Sequence, residues 1–223
     1  MTFVKECIED SLPIWEACLD TSFLRQLADG TLPEELFKGY IIDDSLYLMA
    51  YTKVFAMGIL KAESMEEIRA YYSLLSFVSE AEDATRAYYL ERYGLRDEDV
   101  QKLPLRPENQ AYVDTMTEAV ANAPGPAECF MACLPCMLSY EWIFAELVKR
   151  FPKAKDTVYG RFVNDYTGNF YDKLKGGWYD FAEKSCRNLT PARQKNCRAI
   201  FRKCSEHELK FWEMSARARA CFS

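Results

Sequence analysis

The chain has 223 residues, 49% of them apolar and 28% charged, with a formal net charge of −6. That length suffices for one sizeable hydrophobic core and is short for two, and the composition is not that of a disordered chain. The acidic balance excludes a surface built to neutralise phosphate backbones, so nucleic acid is not an expected partner.

The opening stretch, from Met1 to Trp15, places acidic residues where a signal peptide carries basic and apolar ones. No run of about twenty uncharged apolar residues is present to span a bilayer, so no membrane association is expected. The chain has nine cysteines, an odd number at irregular spacings. That fits free thiols in a reducing cytoplasm better than a disulfide framework, and makes each cysteine by default a small buried hydrophobe.

Helix signals dominate in chain order. The early part, interrupted by Pro13, predicts one or two helices ending before Gly30. Thr31 to Glu34 reads as a capping box with a proline in the first turn, opening a long helix. Ser64 to Glu67 repeats that signal and predicts a helix to about Tyr93, stopped by Gly94. After a loop around Leu103–Pro107, a helix begins near Glu108 and the run from Ala123 to Pro126 breaks the chain. A largely apolar helix follows over Ala127–Arg150, kinked by Pro135 and ended at Phe151-Pro152. A helix over Asp156–Leu174, a break at Gly176-Gly177, a short helix over Trp178–Cys186 and a last long helix from Thr190 to about Ala218 complete the reading. The expectation is an all-α protein, a single-domain helical bundle over residues 1–223.

Function in such a bundle shows itself as polar chemistry set into apolar faces. Phe37, Tyr40, Ile41, Asp44, Tyr47, Leu48 and Tyr51 follow one helical stripe, with Asp44 in its middle. A buried carboxylate there needs partners or a purpose, and a structural bond to a core tyrosine is the plainer alternative. Cys197, Phe201, Cys204, Glu208, Phe211 and Ser215 form a second stripe, with Glu208 among aromatic neighbours. Desolvation would raise its pKa and make it a proton donor, while pairing with a nearby Lys or Arg is the alternative. Cys129, Cys133, Cys136 and Tyr140 share a face of the third helix, where packing is the default for the thiols. A metal site is not expected, because the sole histidine, His207, lies on another helix and reads as a surface residue.

These segments resemble, in order, the thiaminase II (TenA) family from Asp29 to Trp212. The stretch Phe37–Leu48 is similar to the family's F-x-x-Y-x-x-x-D-x-x-Y-L signature, which puts its acid on Asp44 and its aromatic on Tyr47. Leu134-Pro135-Cys136 with Tyr140 is similar to the segment holding the family's cysteine, and Glu208 to Phe211 to its C-terminal glutamate and aromatic. Ala111-Tyr112 and the run Asp165, Tyr166, Thr167, Gly168 are similar to segments supplying two further pocket tyrosines. Two departures concern pocket shape. Arg86 closes a segment where the family often has a histidine, and Met137, Leu138 and Ser139 stand where larger aromatics are common.

The resemblance implies a haem-oxygenase-like bundle, a homotetramer, and hydrolysis of aminopyrimidine or thiamin to hydroxymethylpyrimidine in thiamin salvage. It also implies catalysis by Cys136, Glu208 and Asp44, with Tyr47, Tyr112, Tyr140, Tyr166 and Phe211 around a small-molecule pyrimidine, and no metal or organic cofactor. The alternative is a non-catalytic pyrimidine-binding or regulatory protein on the same fold. A haem-handling role would need histidines that the chain lacks.

Overall fold

A computed structural model describes residues 2–77, 83–167 and 169–219. The helices are α1 (Phe3–Leu19), α2 (Ser22–Asp29), α3 (Glu34–Lys61), α4 (Met65–Phe77), α5 (Asp83–Arg92) and α6 (Asp97–Val100). They continue with α7 (Pro107–Ala121), α8 (Pro126–Arg150), α9 (Gly160–Tyr166), α10 (Asn169–Arg187) and α11 (Pro191–Ser215). No strand occurs among the described residues. The bundle is arranged around α8, which packs against α1, α3, α7, α10 and α11. That position explains its composition: α8 is apolar and long enough to cross a membrane, yet its apolar stretch lies mostly inside the bundle.

The local start and stop signals divide into those that form and those that do not. At Ser64 the capping box closes in both directions. Glu67 N–H donates to Ser64 Oγ, and Glu67 Oε2 accepts from the backbone of Glu63 and Ser64. Gly94 ends α5 in the left-handed conformation, with Leu95 N–H returning to the Leu90 carbonyl. The residues between α4 and α5, on which the expectation of one continuous helix and the start of the segment leading to Arg86 both fall, lie outside the described residues.

Thr31, by contrast, does not cap α3. Its backbone N–H and hydroxyl both donate to Asp29 Oδ1, at 3.0 and 2.5 Å, so the threonine is used in closing α2 behind the left-handed Gly30. Helix α3 begins instead after Pro33, without a side-chain cap.

Three further boundaries differ from expectation. Pro13 lies within α1 instead of dividing it, because it faces solvent while Val4, Cys7, Ser11, Trp15 and Cys18 hold the other side in the core. The carbonyl that the proline deprives of a partner, on exposed Glu9, can reach water. The expected helix over Asp156–Leu174 is a 3₁₀ turn (Pro152–Asp156), then α9, then the start of α10. The chain doubles back so tightly there that a Cβ on Gly160 would sit 2.0 Å from the Lys155 carbonyl oxygen. Gly176-Gly177 makes no break. Helix α10 runs through both glycines, held by buried Trp178, Ala182 and Cys186, which outweigh a propensity cost of about 1 kcal/mol per glycine.

Buried acids tie the helices together. Glu128 on α8 is fully buried and takes a two-pronged bond from Arg193 on α11, both contacts at 2.8 Å. Glu183 on α10 accepts from the backbone N–H groups of Phe3 and Val4, satisfying donors at the start of α1. Removing Arg193 would leave a carboxylate buried and uncompensated. Arg193→Met is expected to lower stability to urea by about 3 kcal/mol, and Glu128→Met in the same chain to recover most of that loss. A double variant no more stable than the single one would contradict this role for the pair.

Candidate active site

Four helices bring the sequence-derived candidates toward one region. Helix α3 carries Asp44 and Tyr47, α7 carries Tyr112, α8 carries Cys136 and Tyr140, and α11 carries Glu208 and Phe211. Glu208 is buried, and its Oε1 accepts a 2.6 Å hydrogen bond from the Tyr112 hydroxyl across the α7–α11 contact. The Tyr112 ring lies 4.9 Å from that of Tyr47, which in turn meets Phe211 at 5.9 Å and donates its hydroxyl toward Met116 Sδ at 3.7 Å.

Cys136 adds to the electrostatic surroundings of Tyr47 and Tyr112. It is 8% exposed, against 0% for Cys129 and 1% for Cys133 on the same face, so it is the more accessible of the three thiols. Burial pushes Cys133 well above an ordinary thiol and Cys129 up to about 11, which suits packing roles for both. The Tyr51 hydroxyl donates to the Cys133 carbonyl at 2.8 Å, an added bond in the turn that Pro135 disturbs.

The phenols record which charges surround them. Burial pushes Tyr47, Tyr112 and Tyr140 well above the usual phenol range, so all three remain neutral donors. Cys136 and Glu208 add to the shift at each of the three, and Asp44 adds to it at Tyr140. Tyr140 is thus the phenol whose electrostatic surroundings include the thiol and both acids. Its hydroxyl is 3.2 Å from that of Tyr40, and its ring is 5.2 Å from Tyr166 and 5.0 Å from Trp212. Tyr166 stacks on Phe144 at 4.9 Å. Gly168, quoted with Tyr166 in the sequence, lies outside the described residues.

Neighbouring residues on two helices behave otherwise than the stripes imply. Asp44 is half-buried, whereas Asp43 beside it is fully buried. Asp43 pairs with Arg106 at 2.5 Å and with Arg219, and its backbone carbonyl accepts from Asn109 Nδ2 at 2.8 Å. Burial pushes the Asp43 carboxyl up while the two guanidiniums pull it back. It anchors the segment after α11 onto α3. Arg86, which closes the segment where the family often has a histidine, pairs with Asp97. Met137, Leu138 and Ser139 are all buried, and Ser139 Oγ donates to the Cys136 carbonyl at 3.3 Å.

His207 is not a surface residue. It is buried, its Nε2 is hydrogen-bonded to Thr115 Oγ1 at 2.9 Å, and its ring stacks on Tyr112 at 5.2 Å and 11°. The 100° step from Glu208 points it to a second buried face, because α11 is covered by α7 as well as α8. Cys204, His207, Phe211 and Met214 recur at i, i+3, i+7 and i+10, a stripe legible in the sequence beside the one that contains Glu208.

The chain matches the TENA/THI-4/PQQC family over residues 9–218. It belongs to that family. It is 27% identical to the aminopyrimidine aminohydrolase of Halalkalibacterium halodurans over 220 residues, 98% of this chain and 97% of the relative. The aminopyrimidine aminohydrolase of Bacillus subtilis is 25% identical over 217 residues, 97% of this chain and 91% of the relative. The solved structure of a TenA homologue from P. horikoshii OT3 superposes with a TM-score of 0.84 at 27% identity, covering 98% of this chain and 100% of that one. The likeness spans the bundle from end to end, so the helices that carry the candidate residues belong to the part shared with these relatives.

Burial pushes the His207 imidazole down from 6.5 to about 4, and Lys203 and Lys210 push the same way. The folded chain thus favours the neutral ring. Its contribution to stability is complete above about pH 6.5 and is lost as pH falls toward 4. The stability difference between wild type and His207→Leu, measured by urea unfolding, is expected to shrink across that window. A difference independent of pH would contradict the buried, neutral assignment.

Proposed function

We propose that this chain is an aminopyrimidine aminohydrolase of the thiaminase II type, converting an aminomethylpyrimidine and water to hydroxymethylpyrimidine and ammonia in thiamin salvage. The observation that supports the reading is the alignment of nearly the whole chain with aminopyrimidine aminohydrolases, together with a buried Glu208 held by the Tyr112 hydroxyl among phenols whose electrostatic surroundings include Cys136 and, at Tyr140, Asp44.

The chemical difficulty is expelling an amine from a methylene attached to an aromatic ring. In the proposed mechanism the Cys136 thiolate adds to a ring carbon, and the displaced electron pair moves to a ring nitrogen that takes a proton from Glu208. The pair then returns to expel the amine, which takes the proton that Asp44 drew from the thiol and leaves as ammonia, and an exocyclic methylene remains. Water adds to that methylene and gives its proton to Asp44, the carbon–sulfur bond breaks to release the Cys136 thiolate, which Asp44 reprotonates, and Glu208 regains its proton from the ring nitrogen. Asp44 serves as the base for the thiol and as an anchor for the pyrimidine amino group.

Tyr47, Tyr112, Tyr140, Tyr166 and Phe211 provide faces for the flat ring. Tyr112 keeps Glu208 aligned by the 2.6 Å bond between them. No step requires a metal or organic cofactor. A homotetramer and a cytoplasmic location follow from the family resemblance as part of the same proposal.

Release of hydroxymethylpyrimidine from aminopyrimidine tests the assignment. Cys136→Ser is expected to lower kcat by more than about 100-fold and Glu208→Gln by about 100-fold or more, with folding retained. Equal rates in wild type and Cys136→Ser would remove the nucleophile, and no release by the wild type would remove the reaction.

A further inference from the structure

Tyr112 is gripped by two consecutive residues of α11. Glu208 accepts from its hydroxyl at 2.6 Å, and His207 stacks flat on its ring at 5.2 Å and 11°. Tyr47 covers Tyr112 at 4.9 Å as well. The imidazole is itself held by Thr115, one turn along α7 from Tyr112, at 2.9 Å. Tyr112, Thr115, His207 and Glu208 thus form a closed circuit across the α7–α11 contact. A phenol ring covered in this way has little freedom to swing its hydroxyl off the carboxyl. We propose that His207 is a positioning residue, whose imidazole, anchored by Thr115, fixes the Tyr112 hydroxyl on Glu208 and so fixes the oxygen from which Glu208 passes its proton. The inference rests on the hydrolase reading for its kinetic consequence but not for its geometry.

The hydrogen-bond inventory also sets the tautomer. His207 Nδ1 is buried and has no hydrogen-bond partner among the described residues. A buried N–H without an acceptor is costlier than a bare ring lone pair, so the neutral ring carries its proton on Nε2 and donates it to Thr115. The charged side chains facing the ring come from α11 itself, Lys203, Glu206 and Lys210. From α7 it meets Tyr112 and Thr115, and Glu208 lies beyond the phenol.

The chain has a single histidine, so its imidazole can be observed by NMR without assignment by mutagenesis. Long-range proton–nitrogen spectra at neutral pH are expected to show one Nε2–H tautomer in the wild type and an averaged pair in Thr115→Val. Averaging already present in the wild type would overturn the proposal, because the ring would not be held. In the kinetic arm, His207→Leu is expected to lower kcat about tenfold with KM within about twofold of wild type. The alkaline limb of its pH profile moves to higher pH, because a loosened Tyr112 donates less to the charged form of Glu208. His207→Phe, which keeps a flat face on Tyr112, recovers most of kcat. A folded His207→Leu with unchanged kcat and pH profile would also overturn it. Absence of turnover in the wild type would instead count against the hydrolase reading, and the NMR arm would still decide the role of His207.

Discussion

Placing a carboxyl among aromatic rings costs free energy unless a hydrogen-bond donor meets it there, and in this protein the Tyr112 hydroxyl does so for Glu208. Because donor and acceptor sit on different helices, the bond also fixes how α7 and α11 lie against each other. Tyr51 on α3 performs a similar task for α8 through the Cys133 carbonyl, and Tyr71 on α4 does so through the Pro126 carbonyl. Phenols supply both the apolar mass that fills the bundle and the donors that its buried acceptors need. A thiol can then be carried on the central, mostly buried helix in a region rich in phenols.

The buried acids separate by the kind of partner seen beside them. Asp43 and Glu128 meet guanidiniums, and Glu183 meets the open end of a helix. Those contacts give each buried carboxyl its hydrogen-bond donors and join elements distant in the chain. Glu208 accepts from a neutral phenol, a donor that can accompany either protonation state of a carboxyl.

Much of the bundle was legible from helical periodicity and punctuation. The Ser64 and Gly94 signals and the extent of α8 are local features of the chain, settled by nearby residues. Thr31 was misleading because two helix ends compete for it, and the Asp29 carboxylate wins. The Gly176-Gly177 pair misled because propensity is a weak term beside the packing of Trp178 and Cys186. At the site, periodicity located the stripes that hold Asp44 and Glu208 but not their neighbours' fates. Helix α3 is buried around most of its circumference near Tyr40–Leu48, so a single-face argument cannot separate Asp43 from Asp44. His207 reads as a surface residue in the sequence for the same reason, because on α11 two packed neighbours leave less surface than one stripe implies. The partners of Asp43, Arg106 and Arg219, come from distant parts of the chain, and no spacing rule reaches them.

The most direct measurement of whether Cys136, Asp44 and Glu208 share one cavity is a crystal structure grown with hydroxymethylpyrimidine. Electron density for a flat six-membered ring is expected between α3, α8 and α11, with Cys136 Sγ against the ring face and Glu208 within hydrogen-bonding distance of a ring nitrogen. A ring bound in the outer groove between α4, α8 and α10, lined by Leu74, Phe130, Trp178 and Phe181, with the Cys136 region unchanged, would contradict the account.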